Sequence, residues 1–326
     1  MATGGAVVDR EEPGVRWLLR SQDPSVRFLA LTDVLGRSLR TGEVRAEQRR
    51  IPRGARLRAL LSGQRADGGF GVHWYKKWAG ATWRLVSAVE LGVPAENVAA
   101  RRAAEHVLAR LPLTRAEPHQ VRGRFRLHAS VLGNPLGVCS RLGMAGDPRV
   151  RRLAHGLVRW QWPDGGWNCD SSPEAEHSSF YESLATLWGL NEYFRATDDR
   201  AVGPAVDRAA ELFLRHRLFR SCHGEALADP RWTRLHYPVY WHYDILQALR
   251  VLQRVGRLDD PRTREALDLM EAKRSNDGTW AAEGRFWRRG PPGAANTEVV
   301  DWGEGGSNEM ITLNALRVLV ASGRLS

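Results

Sequence analysis

Two stretches of the sequence gather residues able to bind a metal or move protons. Ser221-Cys-His-Gly224 leads to Leu235-His-Tyr-Pro-Val-Tyr-Trp-His-Tyr-Asp244, so Cys222, His223, His236, His242 and Asp244 fall within about two dozen residues, with Cys169, Asp170 and His177 ahead of them. Thiolate, imidazole and carboxylate are zinc donors, needed at about 2.0–2.3 Å from one point, with an open position if the metal is catalytic. Cys169, Asp170, Cys222 and His223 are the candidate ligands, and zinc is the cofactor they would hold. Read without metal, Asp244 is the candidate acid or base, tuned by His242 or His177. Desolvation by Tyr240, Trp241 and Tyr243 would disfavour its charged form and let it donate near neutrality. A helix start would expose it to free backbone amides, which favour the carboxylate. The plain alternative is that Asp244, and His177 before Ser178-Ser179, simply cap helices.

These residues belong to a wider set. Seven of the ten histidines (His73, His119, His128, His177, His223, His236, His242) fall in helix-connecting links or first helical turns, and most tryptophans keep them company. An aromatic mouth with convergent polar groups is a common form of small-molecule site, suited to an apolar or cationic ligand. Trp78, Trp83, His128, Tyr181, Glu182, His236, Tyr240, Trp241 and Glu309 are the candidate substrate contacts. Glu182 and Glu309 interrupt apolar helices, and a buried carboxylate needs a partner or a cavity to face. Trp162, Trp167 and Trp280 are expected to pack between repeats, Cys139 and Trp188 to be core, and His106, His155 and His216 to be solvated.

The elements that would position these groups repeat. Gln64-Arg-Ala-Asp-Gly-Gly-Phe70, Gln161-Trp-Pro-Asp-Gly-Gly-Trp167 and Ser275-Asn-Asp-Gly-Thr-Trp280 each follow an amphipathic helix, as with Val150, Leu153, Leu157 and Trp160 on one face. Asp147-Pro148 and Asp260-Pro261 mark helix starts. A more apolar helix follows each link: Thr82 to Leu91, Ser178 to Leu190, Tyr243 to Leu252 and Met310 to Val320. Asn134-Pro135 predicts a kink in another. Outer and inner helices pair roughly over 15–35, 51–91, 95–142, 150–193, 201–252 and 263–320. The expected architecture is all-α, a single α/α toroid over 1–326 resembling an (α/α)6 ring, with 1–12 a flexible N-terminus.

The Gln-x-x-Asp-Gly-Gly-aromatic turns resemble the glutamine-tryptophan repeat of squalene and oxidosqualene cyclases and of protein prenyltransferase β subunits, in which those residues tie neighbouring repeats together. Trp241-His-Tyr-Asp244 and His177-Ser-Ser-Phe180 look like segments of single-domain bacterial members of that superfamily. The resemblance implies a toroid acting on an isoprenoid or polyene. Squalene-type cyclases protonate an alkene with an Asp-x-Asp-Asp motif, and this chain has none, reading Glu176-His-Ser-Ser179 at the comparable helix start. The prenyltransferase Asp-x-Cys zinc element is also absent, although His242 lies near the position of its histidine. Cys222-His-Gly224 resembles zinc ligands of lanthionine cyclases, without their Trp-Cys-Tyr-Gly segment.

Composition narrows the rest. No run of about 18 apolar residues suggests a membrane span, and the start lacks the layout of a secretion signal, so a soluble, cytoplasmic protein is expected. Three cysteines cannot staple a chain of 326 residues, and free thiols or ligands are expected. The net charge of +11 is dispersed, with only three lysines (Lys76, Lys77, Lys273), which argues against a nucleic-acid track. Isoprenoids partition into bilayers, so peripheral contact with acidic lipid is an open expectation. The favoured reading is a terpene cyclase- or prenyltransferase-like enzyme acting on a small hydrophobic substrate by acid-base chemistry. A zinc-dependent toroid enzyme, a polysaccharide lyase-like enzyme and a non-catalytic binding ring remain alternatives, and oligomeric state is not legible.

Overall fold

The structure, a computed structural model, describes residues 8–111, 117–221, 226–290 and 294–325. Cys222 and His223, two of the expected zinc ligands, lie outside the described residues.

The described residues form thirteen α-helices and one two-residue hairpin, Gln120–Val121 with Arg124–Phe125. In chain order the helices are α1 Pro13–Leu19, α2 Pro24–Leu29 (extended by a π-helical turn, Ala30–Val34), α3 Gly42–Arg50, α4 Ala55–Leu61, α5 Ala81–Glu90, α6 Val98–Leu108, α7 Ala129–Arg141, α8 Pro148–Arg159, α9 Phe180–Thr197, α10 Gly203–Arg215, α11 Ile245–Val255, α12 Arg264–Ala272 and α13 Glu309–Ala321. With α3 as an added outer segment, they make six hairpins. The inner members α2, α5, α7, α9, α11 and α13 all contribute side chains to one axial cavity, including Leu29, Val89, Arg141, Trp188, Val251 and Asn314. The fold is an α/α toroid.

The turns after the outer helices hold the hairpins together. Gln161 Nε2 donates to Gly165 O in its own turn and to Ala205 O on α10, both at 2.8 Å, while Gln64 Nε2 donates to Gly68 O and to Ala99 O on α6. Gly68, Gly165 and Gly278 all have φ between 82° and 102°. A Cβ at these positions would lie 2.4 Å from Arg102 O, 2.2 Å from Arg208 O and 2.6 Å from Gly14 N respectively. Each turn therefore presses its bare glycine against the next outer helix, and the last presses against α1, closing the circle. In that last turn Arg274 replaces glutamine and bonds Glu12 of the first hairpin. The Trp167 and Trp280 indoles return to the carbonyls of Leu157 and Met270 in their own outer helices.

Glycine also sets the spacing of inner helices. Gly133 and Gly137 on α7 meet Thr186 and Trp188 on α9, and a Cβ at Gly189 would fall 2.1 Å from Gly133 O. Pro135 sits inside α7, as expected for the Asn134-Pro135 step.

Three expectations need adjustment. Within the segment expected to be flexible, Val8 is buried and the Glu12 carboxylate caps α1 through Val15 N at 2.7 Å. His106 is buried, since Gly68-Gly69 makes room for its ring against the turn, where Nδ1 lies 2.9 Å from Asp67 O. Helix α9 runs to Thr197, well beyond Leu190. No helix among the described residues is long and apolar enough to cross a membrane.

Replacing Gly165 with alanine should destabilise the fold by roughly 2 kcal/mol or more, since it combines a left-handed backbone with a backbone clash. Urea unfolding will measure this, and a loss no larger than that of Gly146→Ala, whose Cβ would meet nothing, would contradict the packing role given to the turn.

Candidate functional site

At one end of the ring, the segment from Tyr237 to His242 enters the axis and meets α5, α7 and α9, enclosing about 610 Å³ of space, part of it open to solvent. The walls are aromatic. Tyr181 stacks on Trp241 (centroids 5.0 Å apart), and Tyr240 lies flat on Trp78 at 4.2 Å, with Trp83 edge-on behind both. Tyr240 takes this position with φ of 55°, a strained conformation for a side chain of its size, and its buried hydroxyl has no hydrogen-bond partner among the described residues. Lys77 Nζ stands 4.7 Å from the Trp241 ring centre.

His242 lines this cavity and stacks on Phe286 at 3.5 Å. Burial, reinforced by the positive charge of Lys77, pushes its pKa down to about 4, so the imidazole is neutral and able to accept a proton. Asp244, placed beside it by sequence, has another task. It is buried at the N-cap of α11, where Oδ1 accepts from Gln247 N at 2.8 Å and Oδ2 from His236 N at 2.9 Å. It is not among the cavity-lining residues, and it anchors the loop that carries His242. His177 is exposed in the link before α9, where only its carbonyl is engaged, by Asn168. The expected trio of His177, His242 and Asp244 is therefore not assembled at one point.

The remaining expected contacts divide. Trp78 and Trp83 are the buried backing of the wall, and His236 is buried against Phe286 at 4.4 Å with its Nδ1 3.8 Å from Asp244 Oδ2. Glu309 pairs with Arg56 at 2.6 Å, joining α13 to α4 outside the cavity lining.

Glu182 in the first turn of α9, His128 at the N-cap of α7 and Cys169 in the link before α9 come together, with one ligand atom from each within 4.8 Å of the others. The buried Glu182 accepts from Ser130 N at 2.8 Å and from Trp241 Nε1 at 3.4 Å, with His128 Nδ1 at 3.5 Å. Burial alone would push its pKa up, but bonds from His128 and Ser130 outweigh that and hold it below the ordinary value. Burial, with the Glu182 charge, pushes the Cys169 thiol up to about 11. Of the expected zinc ligands, Cys169 belongs to this group, while Asp170 is exposed and accepts from Ser172 N in its own loop.

Glu90 is the residue sequence reasoning missed. It ends α5 inside the ring, lines the aromatic cavity, and accepts a hydrogen bond from Tyr237 Oη at 2.8 Å. Desolvation is the largest influence and lifts its pKa above the ordinary 4.5. The signal was available, since an acid on an apolar inner helix is what marked Glu182 and Glu309.

No family model matches this chain, and no curated protein matches it. Among solved structures it is similar to a protein from Actinoplanes (16% identity, 95% of this chain and 97% of that one, TM-score 0.45). It is also similar to a variant of the type II terpene cyclase MstE from Scytonema in complex with merosterolic acid A (13%, 95% of each chain, TM-score 0.44). A third is the GH76 α-mannanase of Bacteroides thetaiotaomicron (11%, 74% of this chain and 68% of that one, TM-score 0.38). At these values the likeness assigns no residue a role.

Because the Glu90 pKa is raised in the folded protein, the folded state binds the extra proton. Stability from this group is then present below the ordinary carboxyl range and lost as pH rises through the folded value. Glu90→Gln should remove that component, so urea unfolding between about pH 4 and about pH 8 should show the variant gaining on the parent as pH rises. Parallel curves would contradict the assigned environment.

Proposed function

We propose that this protein is an enzyme of terpene cyclase-like type, taking a hydrophobic isoprenoid or polyene substrate into the aromatic cavity and carrying it through a cationic stage by acid-base chemistry. The observation behind this is the Glu90 carboxyl, its pKa raised by desolvation, inside a cavity walled by Tyr181, Tyr240 and Trp241, with neutral His242 in the same lining.

The chemistry follows from those groups. Glu90 gives its proton to the substrate, and an alkene π pair forms the new carbon–carbon bond as positive charge moves along the chain. The faces of Tyr240 and Trp241 stabilise that charge, more strongly in a dry cavity than in water. A proton leaves the neighbouring carbon to His242, and its return to Glu90 resets the site. The net change is an isomerisation. Asp244 acts at a distance from the substrate, by positioning the His242 loop.

A second reading rests on the His128–Cys169–Glu182 group, whose donor set and spacing suit zinc with an open position. A zinc ion held there would supply Lewis acidity. Trp241, bonded to Glu182 and lining the cavity, would connect the two sites.

Incubation with linear polyenes of different lengths, followed by mass-spectrometric product analysis, should reveal isomers of unchanged mass. Glu90→Gln should lower turnover by about 10²–10⁴-fold and Glu90→Asp by less. Full activity in Glu90→Gln would rule out the acid assignment. For the metal reading, Co²⁺ added to the protein should give a thiolate charge-transfer band that Cys169→Ser abolishes. A spectrum unchanged by that substitution would dismiss this centre.

A further inference from the structure

The aromatic cavity does not end at Glu90. Glu90, Trp188, Gln247 and Val251 also line a second space of about 610 Å³ toward the C-terminal ends of the inner helices, and its character is opposite. Arg141, Arg250, Arg254 and Arg317 converge there from three inner helices, facing Asp33 of the π-helical turn.

Two of the four are accounted for. Arg141 and Arg254 stand in the last turns of α7 and α11, where a cation offsets the negative end of the helix, and both pair with Glu192 of α9. The inner two are not balanced in the same way. Arg317 is buried, bonds Asp33 at 2.5 Å and Asn314 at 2.9 Å, and leaves its Nε without a partner among the described residues. Arg250 lies one turn deeper than Arg254, donates to the neutral Gln253, and forms no ion pair among the described residues. Burial, with repulsion from Arg317 and Arg254, lowers the pKa of Arg250 well below its ordinary value. Glu90 shares this lining, but desolvation raises its pKa and so disfavours the carboxylate that would compensate them. Two interior guanidiniums thus share one carboxylate, and a desolvated cation without a counter-charge is expensive unless something completes the site.

We infer that the arginine end of the axial cavity is a binding site for a phosphate-class oxyanion, seated between Arg250 and Arg317. Guanidinium forks from two helices match the several acceptor oxygens of a tetrahedral anion, and the side-chain amides of Gln247 and Asn314 line the same space. Arg250 supplies the unmatched charge and Arg317 the unpartnered N–H. Two sources share this chemistry: free inorganic phosphate, or the phosphate head of an amphiphile whose apolar part runs through to the aromatic end. The inference does not depend on Glu90 acting as an acid.

The test uses the intact protein with inorganic phosphate and pyrophosphate at constant ionic strength, read by thermal unfolding and calorimetry. Saturable binding should raise Tm with anion concentration. Arg250→Met should weaken it at least about tenfold, the scale of a lost charge-assisted contact, yet without anion should be no less stable than the parent, because it removes an unmatched charge. Glu90→Gln should still bind the anion whatever happens to turnover, so failure here is distinct from failure of the acid assignment. An alkyl phosphate binding more tightly than phosphate would identify the head of an amphiphile, and equal affinity would identify the free anion. Absence of saturable binding, or binding undiminished in a folded Arg250→Met or Arg317→Gln protein, would overturn the inference.

Discussion

Everything in this protein depends on how closely one backbone can approach the next at the inter-repeat turns. The left-handed glycines at 68, 165 and 278 bring each turn against the following outer helix at a distance no side chain would permit. Where glutamine is present it doubles the link by bonding its own turn and its neighbour. The contact between Gly278 and Gly14 joins the last hairpin to the first, turning a row of helical hairpins into a closed ring. Closure creates an interior reached by every inner helix.

That interior is divided chemically along its axis. One end is lined by aromatic rings, a neutral imidazole and an acid whose pKa desolvation raises. The other is lined by arginines beyond what the nearby carboxylates balance. Glu90 stands at the junction, where apolar surroundings and Tyr237 set its state. A cavity organised this way suits a ligand with an apolar body and an anionic end, and it separates cation-stabilising ring faces from the cationic guanidiniums that would oppose a developing positive charge.

Much of this was legible in the sequence because it is local. The Asp-Gly turns, the apolar spacing on α8 and the proline-led helix starts are short-range patterns, and each specified its element with small boundary errors. The aromatic wall was legible because Tyr240 and Trp241 sit in the motif that drew attention to it. Asp244 was misleading for a physical reason: an acid at a helix start has the same local signature whether it meets substrate or two backbone amides. His128 and Glu182 were singled out as contacts, but their union with Cys169 joins the start of α7 to the start of α9 and the link before it, and spacing carries no information about such a meeting. Glu90 was passed over because it closes a helix, where a charged residue ordinarily meets solvent.

The sequence by itself determined the hairpins, their number and the turns that couple them, since helix periodicity and glycine conformation act over a few residues. Only the tertiary structure decided which polar groups share a cavity and what state they hold there. Ring closure brings Arg250 and Arg317 beside Asp33 and sets Glu90 between the two ends of the cavity, and both desolvation and charge balance depend on distances between residues far apart along the chain. Residue type names a possible chemistry, and the surrounding dielectric and the nearest opposite charge select among the possibilities.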